Sequence, residues 1–273
     1  MYVLLHRTLP AFANRRRCPH SSAMKKTVTS LLLAGSLVFA AATAHAQASF
    51  RIGPHVGYNW SFGRFDYPHS DYKTVINSAR SGGEGGVVAQ VGLTTHWTVQ
   101  PAVLYAQKGF AFVEKAYDAP YNYSYQGKYR FRFNYLTVPL NVVYGQQPGG
   151  QGLQVFAGPY VGWLLGGRYT SSQSGRYGGS GPARAQSHAG AVKAGDTYDN
   201  RPDGPYVSRG LDAGLQVGLG YGFAGGLQVQ AGYSQGLRNL GAKYAPGLTS
   251  QAPPTYRSHA FQFAAAYFVD FKQ

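Results

Sequence analysis

The chain has 273 residues, with 25 Lys or Arg against 10 Asp or Glu for a formal charge of +15, and it holds 37 glycines, 22 tyrosines and one cysteine. A lone cysteine excludes a disulfide framework and a cysteine metal site. No apolar run reaches the roughly 18 residues of a membrane-crossing helix, which leaves open a membrane barrel, whose lipid face is hidden from hydropathy by alternation.

Taken in order, residues 1–46 read as removable. Lys25 and Lys26 precede a 12-residue apolar run, Leu31 to Ala42, that leads to Ala44-His45-Ala46, the three-part plan of a secretory signal peptide. Met24 is the natural start of that plan, so residues 1–23 are expected to be an upstream extension, 24–46 the signal peptide and 47–273 the exported domain. From Gln47 onward there is neither cysteine nor methionine, and nineteen basic residues face ten acidic ones, a net +9.

The exported part repeats one pattern, with apolar residues at alternate positions and Gly, Gln or other small polar residues between them. This is a strand with one apolar face. The first strand, Phe50 to Phe62, carries Ile52, Val56, Tyr58 and Trp60 on that face and Arg51, His55, Gly57 and Asn59 on the other. A polar segment, Gly63 to Gly82, follows. The second strand, Gly83 to Thr94, and the third, Trp97 to Lys108, are joined tightly around His96. A second polar segment, Gly109 to Lys128, leads to the fourth strand, Tyr129 to Tyr144. There the apolar positions change from odd (Tyr129, Phe131, Phe133, Tyr135) to even (Leu136 to Tyr144), which predicts a β-bulge near Tyr135.

After the turn Gly145 to Gly152 comes the fifth strand, Leu153 to Tyr169. The third long segment, Thr170 to Val207, has no sustained periodicity and is expected to be mobile. Leu211 to Phe223 and Leu227 to Tyr233, joined at Ala224 to Gly226, form a β-hairpin that supplies the sixth and seventh strands. The fourth long segment, Leu237 to Arg257, precedes the eighth strand, Ser258 to Phe271.

Long and short connections therefore alternate strictly. The fold class that follows is all-β: an eight-stranded antiparallel up-and-down transmembrane β-barrel with four long outer loops and three short periplasmic turns. Outward aromatics fall in two belts, Trp60, Tyr105, Tyr129, Trp163 and Tyr233 near the loops, and Phe50, Trp97, Tyr144, Tyr221 and Phe271 near the turns. A soluble carrier barrel would turn its apolar face inward; the Arg, Glu, Gln and Gly on the opposite face argue against it.

Several segments resemble the outer-membrane β-barrel proteins of the PorT-like porin family, which are related in architecture to small eight-stranded barrels. They are Val99-Gln100-Pro101 running to Tyr105-Ala106-Gln107-Lys108-Gly109, Tyr135-Leu136-Thr137-Val138-Pro139-Leu140, Gly158-Pro159-Tyr160-Val161-Gly162, and Leu211-Asp212-Ala213-Gly214 through Tyr233-Ser234-Gln235-Gly236-Leu237. The resemblance implies an outer-membrane barrel, in some members associated with secretion or gliding machinery, and assigns no activity. The chain ends Phe271-Lys272-Gln273, where barrel-assembly signals commonly end on the aromatic.

Eight strands leave an interior just wide enough for side chains, so inward charges should be paired. Two structural pairs are expected, Glu84 with Lys108 and Arg51 with Asp270. Arg130, Arg132 and Arg168, with Asp212 as counterion, are expected to line an anion-attracting outer mouth. Tyr121, Tyr123 and Tyr125 form a candidate aromatic patch in the second long segment, able to stack on sugars or bases. Gly220 to Gly225 matches G-x-G-x-x-G but precedes a strand, not a helix, and is accidental. Ser258 and His259 are adjacent and point to opposite faces, which rules out a dyad, and the histidines lack metal-ligand spacing.

The sequence therefore points to a non-enzymatic outer-membrane barrel with a structural or surface-interaction role through its long loops. A narrow channel or a component of a secretion assembly is the alternative, and a lipid-A-modifying enzyme a further one. No cofactor, metal or nucleic-acid partner is expected. The expected partners are outer-membrane lipid, lipopolysaccharide and periplasmic or surface proteins, with the protein itself a monomer.

Overall fold

The computed structural model describes residues 49–66, 73–178, 184–198, 204–244 and 255–270, with nothing said of the side chains of Asp66, Lys73 and Asp270. The expected extension and signal peptide, 1–23 and 24–46, lie outside the described residues. The strands, in order, are β1 (Phe50–Asp66), β2 (Lys73–Gly92), β3 (Trp97–Asp118), β4 (Tyr123–Gln147), β5 (Gln151–Tyr177), β6 (Arg184–Ala194), β7 (Thr197–Tyr198), β8 (Tyr206–Ser208), β9 (Leu211–Gly222), β10 (Leu227–Gly236), β11 (Lys243–Tyr244), β12 (Thr255–Tyr267) and β13 (Val269–Asp270).

Eight of them close a ring. The order β4-β3-β2-β1-β12-β10-β9-β5 is completed by pairing of β5 back onto β4, and every contact around the ring is antiparallel. Closure leaves none of the eight with a bare edge at membrane depth, which is what allows a sheet to stand in lipid.

The alternation read from the sequence decides which face is which. Val56, Trp60, Leu153, Val155, Leu215, Val217 and Leu219 are exposed on the outside, while His55, Asn59, Gln154, Asp212 and Gln216 are buried inside. Glycine recurs on the inner face because the strands bend sharply to close so small a ring. At Gly158 an added Cβ would overlap the backbone carbonyl of Leu140 on the neighbouring strand, and at Gly214 that of Gln235.

The fourth strand departs from expectation. β4 keeps one register with β3 from Trp97↔Tyr144 to Asp118↔Tyr123, with no bulge near Tyr135. The extra residue lies in β5: the register against β4 shifts from Asn134↔Gly166 to Tyr135↔Leu164, leaving Leu165 unmatched. Gly166 beside it takes φ 147°, a conformation open to glycine. Odd residues of β4 therefore face inward along its length, and Phe131, Phe133 and Tyr135 are buried together with Thr137, Asn141 and Val143.

The long connections are also more regular than expected. β3 and β4 continue past the ring to a short turn at 119–122, and β5 continues to Tyr177. Within the third long segment, β6 pairs with β5 from Gly167↔Val192 to Gly175↔Arg184, and β8 adds to β6 in parallel. The upper parts of β2, β3, β4, β5 and β6 thus make an open sheet above the ring. β6 is exposed on both faces over most of its length, so no buried face imposes a periodicity on its sequence.

Because the close approach at Gly158 is backbone to backbone, Gly158→Ala is expected to destabilise the barrel by about 1–3 kcal/mol. On a detergent gel the refolded variant should show a smaller fraction of the fast-migrating, heat-sensitive form than the parent; an unchanged fraction would contradict this packing.

Candidate functional site: the filled interior and the upper wall

From the periplasmic end upward, the interior is filled in three layers. The lowest is a set of amides. Gln100 Nε2 donates to Gln228 Oε1 at 3.1 Å, Gln230 Nε2 donates to Gln100 Oε1 at 3.2 Å, Gln228 Nε2 donates to Gln154 Oε1, and Gln216 Nε2 donates to Asn141 Oδ1 at 2.7 Å. Glutamine suits this layer because its amide both donates and accepts, so neighbours satisfy one another without charge.

The middle layer holds the inward charges. Glu84 Oε1 lies 3.0 Å from His55 Nε2, and Lys108 Nζ lies 3.5 Å from Asp212 Oδ2. Tyr160 donates its hydroxyl to Asp212 Oδ2 at 3.3 Å, and Lys108 Nζ sits 4.4 Å from the Tyr160 ring centroid. The expected Glu84–Lys108 pair is therefore corrected to two other pairs. The register sets Glu84 opposite Ala106, not Lys108, while Gly57 beside Glu84 leaves room for its carboxylate to reach His55. Lys108 reaches across the lumen to β9. Beside these charges is a cavity of about 40 Å³, room for a few water molecules, lined by His55, Glu84, Lys108, Asn141 and Gln216 among others.

The top layer is apolar. Phe110, Phe131, Phe133, Tyr135, Leu164, Val192, Leu240 and Tyr256 form one buried cluster, with Phe65, Phe112 and Tyr129 packed against it. Phe110 stands 4.8 Å from Phe131, 4.9 Å from Tyr256 and 4.8 Å from Phe65, ring to ring. Leu240, contributed by the fourth long segment, is fully buried, and its N–H donates to the Tyr256 carbonyl at 2.9 Å. This cluster stoppers the barrel.

The other sequence-predicted residues fall as follows. The backbone register places Arg51 opposite Asp270 on β13, where the barrel closes. Arg130, Arg132 and Arg168 do not line a mouth: all three are exposed on the outer wall, Arg130 and Arg132 because β4 has no slip and its even residues face out, and Arg168 because the extra residue at Leu165 turns the even residues of β5 outward above it. Their expected counterion Asp212 is fully buried inside, with Lys108. Arg132 lies directly opposite Arg168 across β4 and β5.

The tyrosines do not form one patch. Tyr121 is exposed at the turn, Tyr123 packs across the strands on Tyr177 at 4.4 Å, and the Tyr125 hydroxyl shares a 2.7 Å hydrogen bond with that of Tyr129. Tyr129 stacks on Phe112 at 4.7 Å beside the interior cluster instead of joining the outer belt. Trp60 and Tyr105 are exposed in that belt, as are Phe50, Trp97, Tyr144 and Tyr221 in the lower one; Phe271 lies outside the described residues.

Ser258 and His259 do not work together. His259 bonds the Tyr233 hydroxyl at 2.7 Å and stacks on Phe62. Among the described residues no cluster of His, Asp or Glu could hold a metal ion. His55, Tyr160, Leu240 and Tyr256 were not singled out from the sequence. His55 could have been, since alternation puts it on the inner face two residues from Gly57, the register partner of Glu84.

A closed antiparallel ring with an apolar exterior, aromatic belts and a filled interior defines an eight-stranded outer-membrane β-barrel. Residues 40–241 match the family described as outer membrane protein beta-barrel domain. The chain belongs to that family, and its place is the outer membrane of a Gram-negative cell. No curated protein matches it. Among solved structures it is similar to the outer membrane protein OprG from Pseudomonas aeruginosa, with 10% identity over 83% of this chain and 98% of that one and a TM-score of 0.36. It is also similar to Ail, the attachment invasion locus protein of Yersinia pestis, solved with the heparin analogue sucrose octasulfate, with 11% identity over 81% and 99% and a TM-score of 0.35. A third is Neisserial surface protein A, with 13% identity over 81% and 98% and a TM-score of 0.33.

Removing one partner of the Lys108–Asp212 pair leaves the other as a buried, uncompensated charge. Lys108→Met is expected to destabilise the barrel by about 3–5 kcal/mol, and the double variant Lys108→Met/Asp212→Asn to recover most of that. Urea unfolding in micelles measures both, and equal losses in the single and double variants would show that the pair is not the relevant unit.

Proposed function

We propose that the protein is a non-enzymatic, non-conducting outer-membrane barrel that acts through the sheet its long strands raise above the membrane. It works as a monomer and presents that sheet, on the outer side of the membrane, to surface proteins. The aromatic stopper carries this reading. A cluster of eight buried residues, from Phe110 to Tyr256, spans the outer end of the lumen, and paired charges and amides fill the space beneath. An ion would have to shed its hydration shell to cross such a path. The resemblance of Gly158 to Gly162 and of the hairpin Leu211 to Leu237 to PorT-like porins supports placing the chain in that group.

Two experiments test this. In planar bilayers the refolded Gln47 to Gln273 chain should give no steady conductance steps; regular steps of one size would mean a channel. The raised sheet should also be dispensable for folding. Phe112 and Tyr129 are register partners, so residues 113–128 can be replaced by an Asn-Gly turn. The shortened chain should keep its heat-sensitive migration, and loss of folding would mean that this sheet is structural, not a free interaction surface.

A further inference from the structure

We propose that the upper wall of the barrel carries two arginine pairs that each seat a phosphate of the phosphorylated glycolipid in the outer leaflet. One pair is Arg132 and Arg168, direct register partners across β4 and β5. The other is Arg64 and Arg257, direct partners across β1 and β12. All four side chains are exposed, and the inward residues beside them, Phe131, Phe133 and Tyr256, are buried, so the guanidinium groups face out from the wall. Like charges directly opposite each other destabilise a sheet. Among the described side chains no carboxylate pairs with any of the four. A phosphate bridging two guanidinium groups turns each repulsive pair into a site with bidentate, charge-assisted hydrogen bonds.

Height and direction select lipid over a soluble anion. Arg64 is two outward-facing positions above Trp60, Arg257 two above Phe261 and Arg132 two above Leu136, and those three apolar side chains are exposed on the lipid face. Four residues of tilted strand raise the arginines by about 10 Å over that band, which is headgroup level. The pairs face sideways along the wall, continuous with the lipid-facing surface, where a leaflet of anionic headgroups meets them. The seam between β4 and β5 lies across the ring from that between β1 and β12, so the sites are separate and the expected stoichiometry is two glycolipids per barrel.

Native mass spectrometry of the refolded Gln47 to Gln273 chain, in micelles doped with lipid A or with its enzymatically dephosphorylated form, tests this. Up to two copies of lipid A should be retained, and the dephosphorylated form should bind about tenfold more weakly. R64Q/R257Q and R132Q/R168Q should each lose one copy, the corresponding Arg→Lys variants, which keep the charge but not the bidentate fork, should bind more weakly than the parent and more tightly than the glutamine variants, and heat-sensitive migration checks that every variant is folded. Equal retention of both lipid forms by the parent chain would overturn the proposal without recourse to any variant. Displacement of the lipid by millimolar inorganic phosphate would overturn it in favour of a soluble-anion site, and unchanged stoichiometry in folded glutamine variants would overturn it as well.

Discussion

An eight-stranded ring encloses so little space that each inward position must be glycine, paired or packed, and the rest of the structure depends on this. Where strands approach too closely for a side chain, as at Gly158 and Gly214, the residue is glycine. Where a side chain fits, it is an amide or a charged group that finds its complement across the lumen, as at Gln100 and Lys108, or an apolar group packed on its neighbours, as at Val88 and Leu104. The small, polar face in the sequence is thus the signature of a tight interior, and the apolar face is free to meet lipid. Desolvating the Lys108–Asp212 pair offsets much of its mutual attraction, so its contribution is greatest in keeping a lone charge from being buried.

The fourth strand shows what happens when the same ring leaves the membrane. Below Tyr135, β4 turns Leu136, Leu140 and Val142 outward and Thr137 and Asn141 inward; above it, Arg132 and Arg130 face out and Phe131 and Phe133 face in. Its backbone register does not change there. Only the solvent does: within the bilayer the outside must be apolar, and above it the outside meets water and headgroups, so the hydrophobic core moves into the lumen. One inversion of polarity accounts for the aromatic cluster in the upper lumen and for the outward Arg130 and Arg132.

The strands inside the bilayer were legible because one face meets lipid along their whole length, so alternation, order and short turns could be read directly from residues such as Leu215, Val217 and Leu219. The inversion was misread as a bulge near Tyr135, since a slip of register and a change of solvent leave the same trace in a sequence. That single reading put Arg130 and Arg132 on the wrong face. β6 was missed because Ser187, His188 and Ala189 are exposed on a two-sided sheet and need no pattern. Glu84 was recognised as inward and paired, but its partner was not. The Lys108–Asp212 contact spans 104 positions and joins strands that are not neighbours, which no local rule reaches.

The polarity inversion is the central claim, and quenching of single tryptophans on the two sides of it tests it most directly. With Trp60, Trp97 and Trp163 changed to Phe, Leu136→Trp and Phe131→Trp place one fluorophore on either side of Tyr135. In vesicles the first should be quenched by brominated acyl chains, and the second by neither brominated lipid nor aqueous acrylamide. Strong quenching at position 131 by brominated lipid would put Phe131 on the outer face, restore a bulge in β4 and contradict the account.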